Sequence, residues 1–207
     1  MRAFFLAFLF ALLSALAAPA FAGNGPERLQ AFLDQVRSLR AEFQQTLFDE
    51  DARQLDQASG MVYIQRPGRF RWDYTEPYLQ EIVGDGEQVW IYDSELQQVT
   101  VRPLDDALGD TPVMLLSSDR PVEESFQVRA MDGPDGYEWA GLKPLGDQIS
   151  FTEIRLGFEG DTLRIMELKD AFGQLTRLRF VNMERNPELD PTLFQFTPPE
   201  GADIFSN

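Results

Sequence analysis

Arg66-Pro67-Gly68-Arg69-Phe70-Arg71-Trp72-Asp73-Tyr74 is a tight Pro-Gly turn running into a strand with two unlike faces. Side chains alternate along a strand, so Phe70, Trp72 and Tyr74 point one way while Arg69, Arg71 and Asp73 point the other. The aromatic face meets something apolar and the charged face meets water. An aromatic face of this kind is filled either by the protein's own core or by a ligand, and this stretch alone leaves both open.

Outward from it, β signals recur at short intervals. Ala41 to Phe48 reads as a strand, the polar run Asp49 to Gln57 as a loop, and Gly60 to Gln65 as the strand before the Pro67-Gly68 turn. Glu76-Pro77 breaks the chain. Leu79 to Val83, the Asp85-Gly86 hairpin signal, Gln88 to Tyr92 and Gln97 to Val101 then form a meander. Phe126 to Met131, Tyr137 to Leu142, Ile149 to Phe158, Thr162 to Leu168, Leu175 to Val181 and a last short strand over Leu193 to Thr197 complete the β pattern.

Two places break the alternation. Pro26 and Glu27 open a segment with Leu29, Phe32, Leu33, Val36 and Leu39 at helical spacing, which predicts a helix from about Pro26 to Ser38. Between Pro103 and Pro121, Leu104, Ala107 and Leu108 and then Thr111 to Leu116 suggest short helical pieces, with Thr111 as cap and Pro112 at a first helical position. The expected fold is therefore mainly β: about eleven strands, nearly all antiparallel, in one sheet curled into an open or closed barrel with a few short helices.

Residues 1–22 read as a secretory signal peptide: Arg2, an apolar run from Ala3 to Leu16, Pro19, then Ala20-Phe21-Ala22. Residues 23–207 are expected to form a single domain, since no Pro/Ser linker or charge block divides them. The 207-residue chain contains no cysteine and no histidine. Disulfides, thiol catalysis, lipidation of an N-terminal Cys, His-dependent triads and His-based zinc or copper sites are thereby excluded. The 34 acidic residues include no pair with a dyad's fixed separation that sequence can identify, and Asp49-Glu50-Asp51 lacks the glycine and spacing of a calcium loop. No phosphate-binding loop is present, so no cofactor, metal or catalytic residue is expected. A formal net charge of −16 disfavours nucleic acid and anionic lipid surfaces. Apolar surface is what the chain supplies in excess. Phe43, Phe70, Trp72 and Trp90, with flexible Met114, suit either a filled core or a cavity for a greasy ligand.

Phe43-Gln44-Gln45, Arg66-Pro67-Gly68-Arg69-Phe70-Arg71-Trp72, Ile82-Val83-Gly84-Asp85-Gly86, Trp90-Ile91-Tyr92-Asp93, Thr111-Pro112 and Phe194-Gln195-Phe196-Thr197-Pro198-Pro199-Glu200-Gly201, in that order, resemble the outer-membrane lipoprotein carrier proteins, the LolA family. The resemblance spans essentially the whole mature chain. It implies a half-open antiparallel β-barrel with a short-helix lid over an apolar cavity. It also implies a monomeric periplasmic carrier that takes triacylated lipoproteins from an inner-membrane ABC transporter and passes them to a lipid-anchored outer-membrane receptor. By motif, Arg66 matches the arginine that latches the lid, and Phe70 the aromatic at the cavity mouth that meets the partner. Phe43, Trp72, Trp90, Met114 and Leu115 are candidates for cavity or lid lining. A periplasmic lipid-binding sensor on the same fold and a carboxylate-dependent hydrolase are the competing readings.

Overall fold

The alternation around Phe70 is realised in a computed structural model that describes residues 24–105, 112–134, 136–146 and 150–206. The expected signal peptide, the Thr111 cap, and Ala107 and Leu108 lie outside the described residues. The chain opens with helix α1 (Gly25–Gln35), with Pro26 in its first turn and Val36 as its C-cap. Strands follow as β1 (Ser38–Phe48), β2 (Gln54–Gln65), β3 (Arg69–Glu76), β4 (Gln80–Asp85), β5 (Gln88–Asp93) and β6 (Gln98–Pro103). Helix α2 (Pro112–Ser117) interrupts the strands. Then come β7 (Phe126–Met131), β8 (Glu138–Pro144), β9 (Phe151–Glu159), β10 (Thr162–Asp170), β11 (Leu175–Arg185) and β12 (Asp203–Ser206).

All twelve strands belong to one open sheet in the order β12-β6-β5-β4-β3-β2-β1-β11-β10-β9-β8-β7. Neighbours are antiparallel except β12, which runs parallel to β6 with Ile204 opposite Val99. α1 lies against β7, β8 and β9, while α2 lies against β2 and β3. The side chains of both helices join one apolar cluster with Phe43, Trp72, Phe158 and Phe180. Strands far apart in the sheet order thus meet over a common interior, the half-open barrel expected for this sequence.

Three expectations are corrected. The polar run after Phe48 is a loop only to Arg53, because Gln54, Asp56 and Gln57 continue the ladder opposite Phe48, Leu47 and Thr46. Hydrogen bonding to a well-formed neighbour overrides their weak strand propensity. Leu193 to Thr197 is not a strand: Pro191–Phe194 forms a 3₁₀ turn, capped by Asp190, whose Oδ1 accepts the Thr192 N–H at 2.9 Å. The true last strand is β12, six residues beyond Thr197.

Candidate functional site

The helix-covered face of the sheet is paved by the residues that the alternation of β3 places together. The Phe43 ring centroid lies 4.6 Å from that of Trp72 and 5.1 Å, edge-on, from that of Tyr74, and Trp72 lies 6.4 Å from Phe180. Phe43 sits opposite Gly60 on β2, and Phe70 sits opposite Gly84 on β4. A Cβ on Gly84 would come within 2.3 Å of the Phe70 ring, and one on Gly60 within 2.9 Å of Phe43. Each ring therefore occupies the space its neighbour lacks. Tyr74 donates its hydroxyl to Gln45 Oε1 at 3.0 Å, and burial pushes the phenol up to about 12.

Two helices close this face. α1 presents Leu29, Phe32 and Leu33 at helical spacing, all buried, and Phe32 meets Phe158 at 5.9 Å. Fully burying such side chains contributes roughly 1.5–3 kcal/mol each. At its other end Arg28 pairs with Glu138 and, at 3.0 Å, with Asp161. α2 buries Val113, Met114 and Leu116, and Leu115 is partly buried against the same cluster.

Arg66, at the end of β2, lies where the two helices finish. Its Nη1 donates to the Leu33 carbonyl in the last turn of α1, with a longer contact to Val36 O at 3.5 Å. Its Nε donates to Ser118 O, just past α2, at 2.9 Å, and Nη2 donates to the same oxygen. The last carbonyls of a helix have no partner within it, and they form the negative end of its dipole. One guanidinium therefore satisfies the ends of both helices. Burial, reinforced by the nearby Arg37 charge, lowers the Arg66 pKa against the pull of Asp119 and Asp34. The group is still a cation at neutral pH. Adjacent backbone bonds, Arg66 N to Arg37 O and Gly68 N to Ser117 O, both 2.9 Å, bring the β2–β3 turn to the same two places.

The remaining expected site residues divide. Phe43, Trp72, Met114 and Leu115 share the covered face with Arg66's helices. Phe70 is on that face and fully buried, so in this conformation it offers no surface to a partner. Trp90 is on the opposite face. It pairs with Val83, which itself pairs with Arg71, whereas Phe70 aligns through Gly84 with Val89. The Trp90 Nε1–H donates to Asp85 Oδ2 at 2.9 Å, and its ring packs 5.7 Å from Phe196. It is therefore removed from the candidate lining: one residue of register along β5 puts it on the other side of the sheet.

That opposite face is less wet than its charges suggest. The Pro191–Phe194 turn lies on β3 and β4, with Phe194 buried and Phe196 against Trp90 and Tyr92. Arg71 is partly covered, donating to Asp73 at 2.7 Å and to Glu81 at 2.6 Å. Burial raises the Asp73 pKa despite the Arg71 contact. The C-terminal segment was missed because Phe194 and Phe196 mimic strand alternation; Asp190-Pro191 was the available signal for a helical turn.

Comparison with known proteins agrees with this architecture. Residues 34–197 match the family model described as "Outer membrane lipoprotein carrier protein LolA". An outer-membrane lipoprotein carrier protein of Methylococcus capsulatus is 46% identical over 180 residues, covering 87% of this chain and 86% of its own. One from Nitrosomonas europaea is 47% identical over 177 residues, covering 85% and 86%. Among solved structures, a conserved protein of Thermus thermophilus superposes with a TM-score of 0.52 at 17% identity, covering 86% of this chain and 98% of that one, which supports the fold alone. The chain belongs to the LolA family of outer-membrane lipoprotein carrier proteins.

Proposed function

We propose that this protein is a periplasmic, non-catalytic carrier of lipoproteins. It takes triacylated cargo from an inner-membrane ABC transporter, shelters the acyl chains between the aromatic face and helices α1 and α2, and delivers them to an outer-membrane receptor. The observation that carries this reading is the single arginine, Arg66, bridging the C-terminal ends of two helices that lie on an apolar sheet face. Elements fixed by packing and a few polar contacts, Arg66 to both helices and Arg28 from α1 to Glu138 and Asp161, can lift without breaking the strand ladder beneath them.

Physical need supports the same reading. Each acyl CH₂ moved into water costs about 0.8 kcal/mol, so three long chains face on the order of 30 kcal/mol on leaving a membrane unaided. The interior described above is filled by Leu29, Phe32, Leu33, Val113 and Met114, so loading must displace the helices that bear them. Acyl chains then replace side chains on the same rings. In this scheme Arg66 is the latch, Phe43, Trp72, Met114 and Leu115 line the binding space, and Phe70 becomes reachable once α2 lifts.

Co-expression of the full chain with a triacylated lipoprotein tests this. A one-to-one complex that forms only with acylated cargo is expected, and no complex with any acylated client would overturn the reading. Depletion of the protein should strand lipoproteins at the inner membrane; normal sorting would point instead to a sensor on the same fold.

A further inference from the structure

The exposed apolar residues are not scattered. Among the described residues, eight large hydrophobic side chains are exposed, and six of them, Leu55, Tyr78, Leu79, Leu96, Leu145 and Phe172, sit in or beside turns. Strand registers put all of these turns at one end of the sheet. Phe48 pairs with Leu175, Phe151 with Asp170, Tyr74 with Gln80, and Asp93 with both Gln80 and Gln98. Every connection at that end, β1–β2, β3–β4, β5–β6, β8–β9 and β10–β11, carries at least one such tip. The described parts of the opposite connections, β2–β3, β4–β5, β7–β8 and β9–β10, carry none.

The tips are held in place. Asp93 Oδ1 accepts the Glu95 and Leu96 N–H groups, each at 3.0 Å, and Asp170 Oδ1 accepts those of Phe172 and Gln174 at 2.9 and 2.8 Å. Neighbouring turns are tied together where Leu79 O accepts the Ser94 hydroxyl at 2.8 Å. Phe172, 84% exposed, is thus displayed by an ordered turn and serves no folding contact there. Exposed apolar side chains gathered along one rim of the sheet, with none on the described parts of the other, mark an interaction surface rather than ordinary surface composition.

Charge selects the partner. Asp49, Glu50, Asp51, Asp56, Glu76, Asp93, Glu95 and Asp170 lie in or beside the same turns. Three basic residues accompany them, Lys143 and Lys169 at the ends of β8 and β10 and Arg53, which is paired with Asp49 and Asp51, so acidic groups remain in excess at this end. A pocket of about 300 Å³ opens beside Gly173 and the β1–β2 turn; Phe48 and Leu175 share its wall with Arg155, Lys169, Arg177, Glu153 and Glu167, and it has room for one side chain. We propose that this end is a docking platform for a protein whose apolar patch is rimmed by Lys and Arg. An anionic membrane or a second copy of this acidic chain would be repelled. Along β2, Leu55 lies eleven residues from Arg66, about 36 Å at ~3.3 Å each, and the shorter strands β3 to β5 still place their tips about 20 Å or more from the Arg66 end of the sheet. A partner bound there leaves the two helices free to move.

The test uses the full chain, an 18-residue amphipathic Leu/Lys peptide, its Leu/Glu analogue, and phosphatidylcholine vesicles with and without phosphatidylglycerol, read by backbone amide shifts. Saturable shifts with the Leu/Lys peptide are expected at 54–56, 76–79, 94–97 and 171–174. Phe172→Ser combined with Leu96→Ser should weaken that binding at least tenfold, and high salt should weaken it too. Shifts confined to α1, α2 or the aromatic face, an equal response to the Leu/Glu peptide or to either vesicle, or no saturable response would each overturn the proposal. Both substituted side chains are exposed, and an unchanged melting temperature together with retained binding of acylated cargo separates this outcome from failure of the carrier reading.

Discussion

Replacing Arg66 with leucine removes the bridge between α1 and α2 while leaving the apolar contacts of both helices in place. A hydrogen bond to a charged donor contributes about 1.5–3 kcal/mol, and two acceptors, Leu33 O and Ser118 O, are held closely. Arg66 is only partly buried, so water replaces some of what is lost and the net effect is about 2–4 kcal/mol. Apolar burial by α1 alone, through Leu29, Phe32, Leu33 and Val36, is worth roughly 6–12 kcal/mol as an upper bound. The variant should therefore fold with both helices docked, and their opening should become about 30- to 700-fold more frequent. The melting temperature falls by the same free energy, because the bridge exists only in the closed state.

A core residue of equal worth would also lower stability, so the discriminating quantity is cooperativity between the helices. With Arg66 present, the slowest amides of α1 and α2 should exchange with a single opening free energy, well below that of the sheet. In Arg66→Leu they should exchange at two different, faster rates, because nothing polar joins them. Arg66→Lys offers one ammonium in place of a planar fork, and it should hold one helix and free the other. Hydrogen exchange read by NMR gives these values directly. Equal acceleration of α1, α2 and the β2–β3 strands to one common rate would refute the bridge reasoning, as would unchanged exchange in either helix.

Other outcomes follow from the same geometry. Gly84→Val places methyl carbons where the Phe70 ring lies and should cost about 1–3 kcal/mol. Adding Phe70→Leu should recover part of that loss in a double-mutant cycle, and simple additivity would show that the ring does not fill the gap. Phe70→Glu buries a charge on the covered face, so chemical denaturation should reveal a loss of several kcal/mol together with impaired loading; unchanged loading would remove Phe70 from the binding face. At Asp85, burial raises the pKa, but bonds from Trp90 Nε1 and the Gln88 and Glu87 N–H groups outweigh it and hold the carboxyl below its ordinary value. Its contribution is therefore present above about pH 3.8 and lost as pH falls further through the folded value, so Asp85→Ala should flatten the acid limb of the stability profile. Phe196→Ala should red-shift Trp90 emission and cost about 1–3 kcal/mol without altering exchange in α1 or α2. Altered helix exchange would mean that the two faces are coupled.

How much of this was legible beforehand depended on whether a feature is carried by local alternation. Phe70-x-Trp72-x-Tyr74 and the Pro-Gly and Asp-Gly turns gave the strands and their connections, and Leu29, Phe32 and Leu33 gave α1. Alternation separates Trp90 from Val89, but which side faces the helices is decided by alignment with Phe70 two strands along, and no local pattern contains that. β12 is four residues long, lies beyond Pro198-Pro199, and pairs in parallel with a distant strand. Arg66's partners, Leu33 and Ser118, are acceptors through their backbone, so their side chains give no sign of it. The family pattern singled out Arg66, and the geometry supplies the reason for an arginine there: two carbonyl groups from two helices need a planar donor set that reaches both.

The division of the fold into a ladder and a detachable cover also explains why a loose binder needs a well-packed resting state. A permanently open apolar face with Phe43, Trp72 and Phe180 exposed would be an aggregation site. Covering it with α1 and α2 removes that hazard, yet every contact made in closing must be given up on loading. The cover therefore has to be strong enough to exclude water and weak enough for acyl chains to displace. Apolar packing meets both demands, since methylene groups of cargo replace those of Leu29 and Met114 with little net change in buried area. The polar bridge has no such replacement in a lipid tail. On the proposed carrier reading, Arg66 sets the threshold between the two states, and its Nε, Nη1 and Nη2 contacts are where the balance between empty and loaded forms is most sensitively tuned.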